Sequence, residues 1–390
     1  MEQGMKTQLK VPLLVGIIAA FTGLVTQIAS RRPFAPSLLL NITEGDPISS
    51  LVKQVDPSFQ FSPGADHYDG TYLWAMAADP FALGEAHNLI DLAGYRYGHP
   101  LYAWIGGLLA FGQKGLFDHS FWLLSIVSIF AAGFFISQLA IQLGVSGWWG
   151  LIVAASPGLL FSVSTDLTES FQAALIAGFL LAWVRGRSPV VIAVLGIALC
   201  LTKEQLILVP CAVGLALIVE MIRDRKLYIG DVLSLLPGPV MLAVWLIFVR
   251  SQFSADQLTY DAGNIGVPLK GWGEIFTIAS SMRGGDMNTS QIGSTVAPVL
   301  MALAVVMLTG LVVGLDRRDV IGWFVVTQAL LISGLGWRTL MYPHEMYRIP
   351  AVAVTFTVLL IAVTLTHGRE APRLWRRDGS VMPTLTTDVR

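Results

Sequence analysis

Long runs of apolar residues recur along the chain from Val11 to Thr366, and short polar segments separate them. The runs are continuous rather than alternating, which favours α-helices that cross a membrane and excludes an outer-membrane β-barrel. A crossing needs about 20 apolar residues, so we predict about ten spans. Their predicted ranges are 11–29, 120–143, 148–163, 168–184, 188–202, 205–222, 230–249, 293–315, 320–336 and 349–366. The predicted fold class is an all-α polytopic membrane protein.

Two long polar segments interrupt this pattern, at residues 30–119 and 250–292. Within the first, counting the short apolar stretch 99–112 as a span would conflict with the positive-inside rule, so we expect a helix that lies at the membrane interface. Residues 1–368 are predicted to form one integral membrane domain. Residues 369–390 are polar and contain Pro and Arg, so we expect a disordered cytoplasmic tail there.

Basic residues set the predicted orientation. With both termini in the cytoplasm, 14 of the 25 Lys and Arg residues fall in the short cytoplasmic connections and at the two ends of the chain. Arg31 and Arg32, just outside the first span, are the main exceptions. The loops 30–119 and 250–292 then lie on the extracytoplasmic face, and this face collects the unusual polar residues.

Composition agrees with a membrane protein and excludes one class of partner. Of the 390 residues, 54% are hydrophobic and 13% charged, whereas a soluble domain usually carries about 25% charged residues. The net charge of −1 argues against nucleic acid as a partner. Cys200 and Cys211 lie in apolar helical segments and are interpreted as packing residues.

The strongest candidate for chemistry is the polar cluster Asp66-His67-Tyr68-Asp69-Gly70 in the first loop. Its carboxylates could act as general bases or bind a metal ion. Asp69 comes just before a predicted short amphipathic helix, whose dipole would favour the ionised carboxylate. The structural alternative is that Asp69 only caps that helix or forms an Asp-Gly turn.

Charged residues also collect at the predicted outer ends of the spans, where they are costly unless paired or functional. They are Arg96 beside His99, Asp166 with Glu169, Lys203 with Glu204, and the group Arg338, His344, Glu345 and Arg348. The arginines could hold a lipid phosphate at the headgroup level. The alternatives are anchoring in an aromatic belt and, for Lys203 and Glu204, a local ion pair.

Motifs for other chemistries are missing from the sequence. It contains no nucleotide-binding P-loop, no His-Glu-x-x-His, no Gly-x-Ser-x-Gly and no Cys/His spacing typical of metal sites. Charges inside the predicted spans are sparse, which argues against an ion-coupled transporter.

The order of these local stretches resembles the GT-C superfamily of polyprenyl-phosphate-dependent glycosyltransferases, which includes protein O-mannosyltransferases, aminoarabinose transferases and bacterial cell-surface glycopolymer proteins. The stretches that carry the resemblance are Tyr68-Asp69-Gly70-x-Tyr72 with Asp79-Pro80-Phe81, Tyr95 through Leu101, Ala155-Ser156-Pro157 with Asp166 through Glu169, and Thr202-Lys203-Glu204. The resemblance covers roughly residues 5–210 and 337–350. The chain differs from the O-mannosyltransferases in having Tyr-Asp-Gly where they carry paired acidic residues.

The resemblance implies a bacterial plasma-membrane enzyme that transfers a sugar from a polyprenyl-phosphate donor to a glycan, lipid or protein acceptor outside the cytoplasm, with inversion. It implies Asp69 as the catalytic base, with Asp66 as the second candidate. The donor phosphate would bind among Arg96, Lys203, Arg338, His344 and Arg348. Other substrate contacts are expected from Tyr68, Tyr72, His99, Asp166, Glu169, Glu204 and Glu345.

Two other functions remain open on the sequence. The chain could be a flippase or exporter of polyprenyl-linked sugars, which would use the cations without needing Asp69. It could also be a non-catalytic subunit of an envelope glycan assembly complex. No cofactor is required by the proposed chemistry, and a divalent metal is optional because phosphate is already a fair leaving group.

Overall fold

The computed structural model describes residues 2–64, 68–254, 264–282 and 287–368. These residues form α-helices joined by loops and short 3-10 segments, with one isolated β-bridge between Ile265 and Leu335. The helices are α1 (Glu2–Ser30), α2 (Ser49–Val55), α3 (Gly70–Ala78), α4 (Ala93–Arg96), α5 (Leu101–Leu109), α6 (Phe117–Gln142), α7 (Pro157–Ser164), α8 (Glu169–Val184), α9 (Pro189–Thr202), α10 (Leu208–Asp224), α11 (Ile229–Leu235), α12 (Pro237–Gln252), α13 (Lys270–Met282), α14 (Met287–Arg317), α15 (Val320–Ser333), α16 (Trp337–Met341), α17 (Pro343–Arg348) and α18 (Ala351–His367).

Five helical stretches of the described chain are long and apolar enough to cross a membrane, which confirms a helical membrane protein. They are Leu9–Ser30, Lys114–Gln142, Glu204–Asp224, Ile229–Gln252 and Ser294–Arg317. Four further apolar helices, α8, α9, α15 and α18, have 14 to 17 residues. At about 1.5 Å per residue these four span roughly 21–26 Å, somewhat less than the ~30 Å hydrocarbon core.

Helices α1, α6 and α7 are joined by a buried polar contact. The side chain of Gln27 is fully buried, and its amide nitrogen donates to Ser125 Oγ and to the carbonyl oxygen of Val163, both at 3.0 Å. The indole of Trp122 donates to the amide oxygen of Gln27, also at 3.0 Å. Because a buried polar group is costly unless its hydrogen bonds are made, these contacts fix the position of the end of α7.

The predicted span 148–163 is not one continuous helix. The chain forms a 3-10 segment at Gly147–Ile152 and starts again as α7 at Pro157. Ser156 caps this second start, since its hydroxyl accepts from the backbone N–H of Leu159 at 3.4 Å, and proline is tolerated at the first helical position because it has no N–H to leave unpaired. At eight residues, α7 is about 12 Å long.

Residues of the predicted first loop pack into a buried core that they share with α6, α9 and α12. Helix α3, predicted to be amphipathic, is instead buried from Gly70 through Met76, and α5 has only nine residues. The Tyr97 hydroxyl donates to the backbone oxygen of Asp79 at 2.7 Å, and the Trp245 indole donates to the backbone oxygen of Tyr97 at 2.7 Å. These bonds hold α4 against α12 and thereby position the end of α4.

The second long loop also contains a helix, α13, which the sequence pattern did not predict. Trp272 on α13 donates its indole N–H to the backbone oxygen of Ile332 at 3.0 Å. Gly271 lies so close to the backbone of Leu335 that a β-carbon there would overlap its carbonyl oxygen. This part of the second loop therefore supports the turn from α15 into α16, just before the charged residues of α17.

Candidate functional site

Asp69 is held between two arginines that come from distant parts of the chain. Its carboxylate accepts a hydrogen bond from Arg96 Nη1 at 3.1 Å and another from Arg348 Nη1 at 3.0 Å. Asp69 occupies the cap position of α3 but makes no side-chain capping bond. The sequence alternative that Asp69 only caps the helix is therefore wrong. Its side chain remains 32% exposed, so one side of the carboxylate is accessible.

Two glycines allow the backbone segments to come this close. A β-carbon at Gly70 would overlap the backbone carbonyl of Leu40, so only glycine lets the start of α3 lie against that segment. A β-carbon at Gly158 would overlap the backbone carbonyl of Tyr347. Gly158 therefore allows α17 to pack against α7, which places Arg348 beside the start of α8.

Arg348 connects three carboxylates and is itself almost fully buried, with 7% of its side chain exposed. Its guanidinium lies 2.7 Å from Glu345, 3.0 Å from Asp69 and 3.3 Å from Glu169. The Glu169 side chain is only 3% exposed. Because an ionised carboxylate is strongly disfavoured in a buried position without a partner, Arg348 is needed to hold Glu169 and Asp69 in place.

Tyr68 lies over this group and bonds to it. Its hydroxyl donates to Glu345, and its ring centroid is 5.2 Å from the Arg348 guanidinium carbon. The Tyr68 ring also makes an edge contact with His344, at 5.8 Å between centroids. Burial lowers the pKa of His344 from 6.5, so His344 is neutral at pH 7 and offers hydrogen bonds rather than a positive charge.

Arg96 is positioned by an aromatic ring as well as by Asp69. Its guanidinium carbon lies 3.7 Å from the ring centroid of Tyr72, within the range of a cation–π contact. Burial tends to raise the pKa of Asp69, but the attraction of Arg348, Arg96 and Lys203 outweighs this effect and leaves the pKa well below its usual value. Asp69 is therefore ionised at neutral pH.

Lys203 lies in the link between α9 and the 3-10 segment Glu204–Ile207. Its positive charge acts on Asp69, yet in the described part of the chain it has no ion pair with a carboxylate. The neighbouring Glu204 pairs instead with His99, whose Nδ1 is 3.2 Å from the carboxylate. The predicted local pair between Lys203 and Glu204 is therefore not formed, and Lys203 is left as a cation at the edge of the site.

Three predicted site residues lie apart from this group or outside the described chain. Asp166 is fully buried in a left-handed turn with φ of 48°, and its carboxylate lies close to the Ser125 hydroxyl. Burial and the nearby charge of Asp118 raise its pKa well above the usual value. Arg338 lies on α16, and Asp66 falls outside the described residues. The roles expected of Asp166 in substrate binding, of Arg338 in binding the donor phosphate and of Asp66 as the second candidate for the base stay predictions.

Sequence reasoning missed two residues that shape the site. Gly158 allows the contact between α7 and α17, and Phe161 lies under Tyr68 and His344 with ring centroids 6.0 Å and 5.8 Å away. The Ser-Pro pair at 156–157 is a typical helix start, but it carries no information about which distant segment packs there. Such partners become visible only in the folded chain.

The residues of this site are suited to binding anions and transferring protons. Among the residues that the structure describes, no group of three or more His, Cys, Asp or Glu side chains is placed to hold a metal ion. No protein-family model matches the chain, and neither the curated proteins nor the solved structures contain a match.

Proposed function

We propose that the chain is a membrane glycosyltransferase that moves a sugar from a polyprenyl-phosphate donor to a hydroxyl acceptor, with inversion at the anomeric carbon. The observation that carries the proposal is the partly exposed carboxylate of Asp69, flanked by Arg96 and Arg348 and close to Lys203. This arrangement supplies a base for the acceptor and positive charge for a leaving phosphate.

The cations of the site differ in their ion pairs and burial, and we assign them two different roles. Arg348 is already paired with Glu169 and Glu345 and is buried, so we assign it the role of a positioning residue. Arg96 and Lys203 lie on the more open side, and we assign them to the donor phosphate. Arg338 and His344 remain candidates for further contacts to the donor.

The proposed reaction has one step. Asp69 takes the proton of the acceptor hydroxyl while the oxygen of that hydroxyl forms a bond to the anomeric carbon. The bond from that carbon to the phosphate oxygen breaks, and polyprenyl phosphate leaves with the electron pair. Arg96 and Lys203 stabilise the charge that develops on the phosphate. No covalent intermediate is needed, and we assign Tyr68, Tyr72 and His99 to orienting the sugar.

The two arginines also explain how the base could be activated. A carboxylate with a low pKa is a weak base, so Asp69 as held by Arg96 and Arg348 is poorly suited to remove a proton. A donor phosphate that binds Arg96 competes with Asp69 for the same guanidinium. Binding of the donor would therefore raise the pKa of Asp69 and activate it, which predicts that donor binds before acceptor.

We propose the same topology that the sequence suggests. The five long and four shorter apolar helices, with the segment 148–163, make up ten crossings. Helix α8 runs from Glu169 at the site to its end beside Arg185, so the site and the basic connections lie at opposite ends of the bundle. On this basis and the positive-inside rule, we assign the site to the extracytoplasmic face. Labelling of the single-cysteine variants Glu44→Cys and Arg225→Cys by an impermeant reagent in intact cells tests the orientation. In the proposed topology only Glu44→Cys should react.

The test of the reaction uses purified protein in liposomes with a labelled polyprenyl-phosphate sugar. We expect release of polyprenyl phosphate with transfer of the label, and Asp69→Asn should lower the rate by roughly 10²–10⁴-fold. Glu44→Gln removes an exposed carboxylate of the same loop and is the matched control. Wild-type activity of a well-folded Asp69→Asn protein would contradict the assignment of the base. Movement of intact donor without transfer would indicate a flippase, and neither event would indicate a non-catalytic subunit.

A further inference from the structure

An apolar groove runs along the outside of the bundle, away from the candidate site. It is formed by α6, α8 and α9 and has a volume of about 490 Å³. Apart from Ser128, its polar lining comes only from Arg185 and Arg187, which lie at one end; the other end reaches Phe171. A groove of this shape combines an apolar channel with a cationic end.

The cationic end lacks carboxylate partners. Arg185 donates a hydrogen bond to Gln138, and in the described chain neither Arg185 nor Arg187 forms an ion pair. Partial burial and the positive charge of Arg187 both lower the pKa of Arg185. Two like charges that repel each other at the mouth of an apolar channel are stabilised by an anion that binds between them.

We propose that this groove binds one anionic phospholipid, with its phosphate between Arg185 and Arg187 and an acyl chain along α8. The headgroup end faces the leaflet opposite the candidate site, because Glu169 and Arg185 lie at the two ends of the same helix. The basic pair sets the preference for an anionic headgroup, and the apolar walls hold the chain.

The length of the groove fits this occupant. From Phe171 to Arg185 the chain advances 14 residues, or about 21 Å along the helix axis at ~1.5 Å per residue. One leaflet contributes about half of the ~30 Å hydrocarbon core, so the groove is long enough for a whole acyl chain. A water-soluble phosphate ester would use the arginines but leave the apolar walls exposed.

Glycine at position 178 gives a direct way to fill the groove. Gly178 lies in its wall, and a β-carbon there would meet the ring of Phe135 at 3.7 Å, an ordinary contact distance. Gly178→Leu should therefore fold normally while its side chain occupies the space of the acyl chain. Arg185→Gln with Arg187→Gln removes the charge and keeps hydrogen-bonding groups. Arg225→Gln with Lys226→Gln removes two charges from another exposed basic segment and is the matched control.

The test is native mass spectrometry of the full chain with equal amounts of phosphatidylglycerol and phosphatidylcholine that carry the same acyl chains. We expect one retained phosphatidylglycerol on the wild type and on the control. The double arginine variant should lose the preference by roughly fivefold for each arginine removed, and Gly178→Leu should retain neither lipid.

Three outcomes would overturn the proposal. They are equal retention of both lipids by the wild type, an unchanged preference in the double arginine variant, or full retention by Gly178→Leu. A dimer in place of the lipid adduct would show that a second copy of the chain covers the groove. All these readouts are independent of glycosyl transfer, so the lipid site and the proposed activity can fail separately.

Discussion

Replacing Arg348 with methionine should destabilise the protein strongly, even before its effect on activity is considered. Methionine has a similar length and fills the space, but it removes the guanidinium that contacts Glu345, Asp69 and Glu169. Of these three carboxylates, Glu169 is the most buried, with 3% of its side chain exposed. The loss is therefore dominated by a buried carboxylate left without its cation.

The expected magnitude follows from this burial. Removing one partner of a buried ion pair typically costs about 3–5 kcal/mol, because the remaining charge stays desolvated and unpaired. Whole domains are stable by only about 5–15 kcal/mol, so the loss is a large fraction of the total. Arg223 gives the comparison, because its side chain is 49% exposed and lies 2.8 Å from Asp224 and 3.8 Å from Glu220. Arg223→Met should change stability by no more than about 1 kcal/mol.

The assay is denaturant unfolding of the purified protein in mild detergent, followed by circular dichroism. Arg348→Met should unfold at a much lower denaturant concentration than the wild type or Arg223→Met. Adding Glu169→Gln to Arg348→Met should recover a large part of the loss, because no unpaired buried charge then remains at position 169. This double-mutant cycle separates the charge effect from a simple loss of packing.

Two results would refute the reasoning. If Arg348→Met unfolds at the same point as Arg223→Met, Arg348 does not hold buried charge in the folded protein. If Glu169→Gln gives no recovery, the loss comes from packing around α17 rather than from the unpaired Glu169 carboxylate. The first result would also remove the reason to assign Arg348 as a positioning residue for Asp69.

Three further predictions test other parts of the structure. Gly158→Ala should push α17 away from α7 and lower both thermal stability and donor binding. Gly64→Ala is the control, because a β-carbon there meets nothing within 4 Å, and it should change neither measurement. The folded-state pKa of Asp69 lies below 3.8, so the ionised carboxylate stabilises the folded protein. The stability advantage of the wild type over Asp69→Asn should therefore persist down to about pH 4 and be lost as the pH falls further. Unfolding midpoints measured across that range test this. Burial raises the folded-state pKa of Asp166, so its ionised carboxylate destabilises the folded protein at neutral pH. Asp166→Asn should therefore be more stable than the wild type at pH 7, and the gain should vanish towards pH 4.

The sequence predicted the helical membrane class better than it predicted the breaks within helices and the contacts between distant segments. The bounds of α8 and α9 agree with the predicted spans 168–184 and 188–202, because a continuous apolar run of this length predicts a helix. The interruption within 148–163 was missed because apolar residues continue across it. There the break depends on Ser156 and Pro157, which are two residues within an otherwise uniform pattern.

Contacts across the chain could not be predicted for a different reason. Arg348 is 279 residues away from Asp69 along the chain, and the local sequence around either residue does not indicate the other as its partner. The sequence indicated that charges at the outer ends of the spans need partners, and a pair between the adjacent Lys203 and Glu204 was one alternative. In the folded chain Glu204 faces His99 instead, because α5 and the α9 end are brought together by packing. Adjacent residues in an extended link project in different directions, so adjacency is weak grounds for an ion pair.

The three carboxylate contacts of Arg348 have a consequence for how the site is assembled. Asp69 comes from the first loop, Glu169 from the start of α8, and Arg348 from the turn before the last helix. The carboxylates of Asp69 and Glu169 would repel each other without the guanidinium, so their close approach depends on the docking of α17 against α7. Gly158 makes that docking sterically feasible. The set of charges around Asp69 is therefore complete only when α17 is docked, and a variant that weakens this docking should lose the arrangement before it loses the helices.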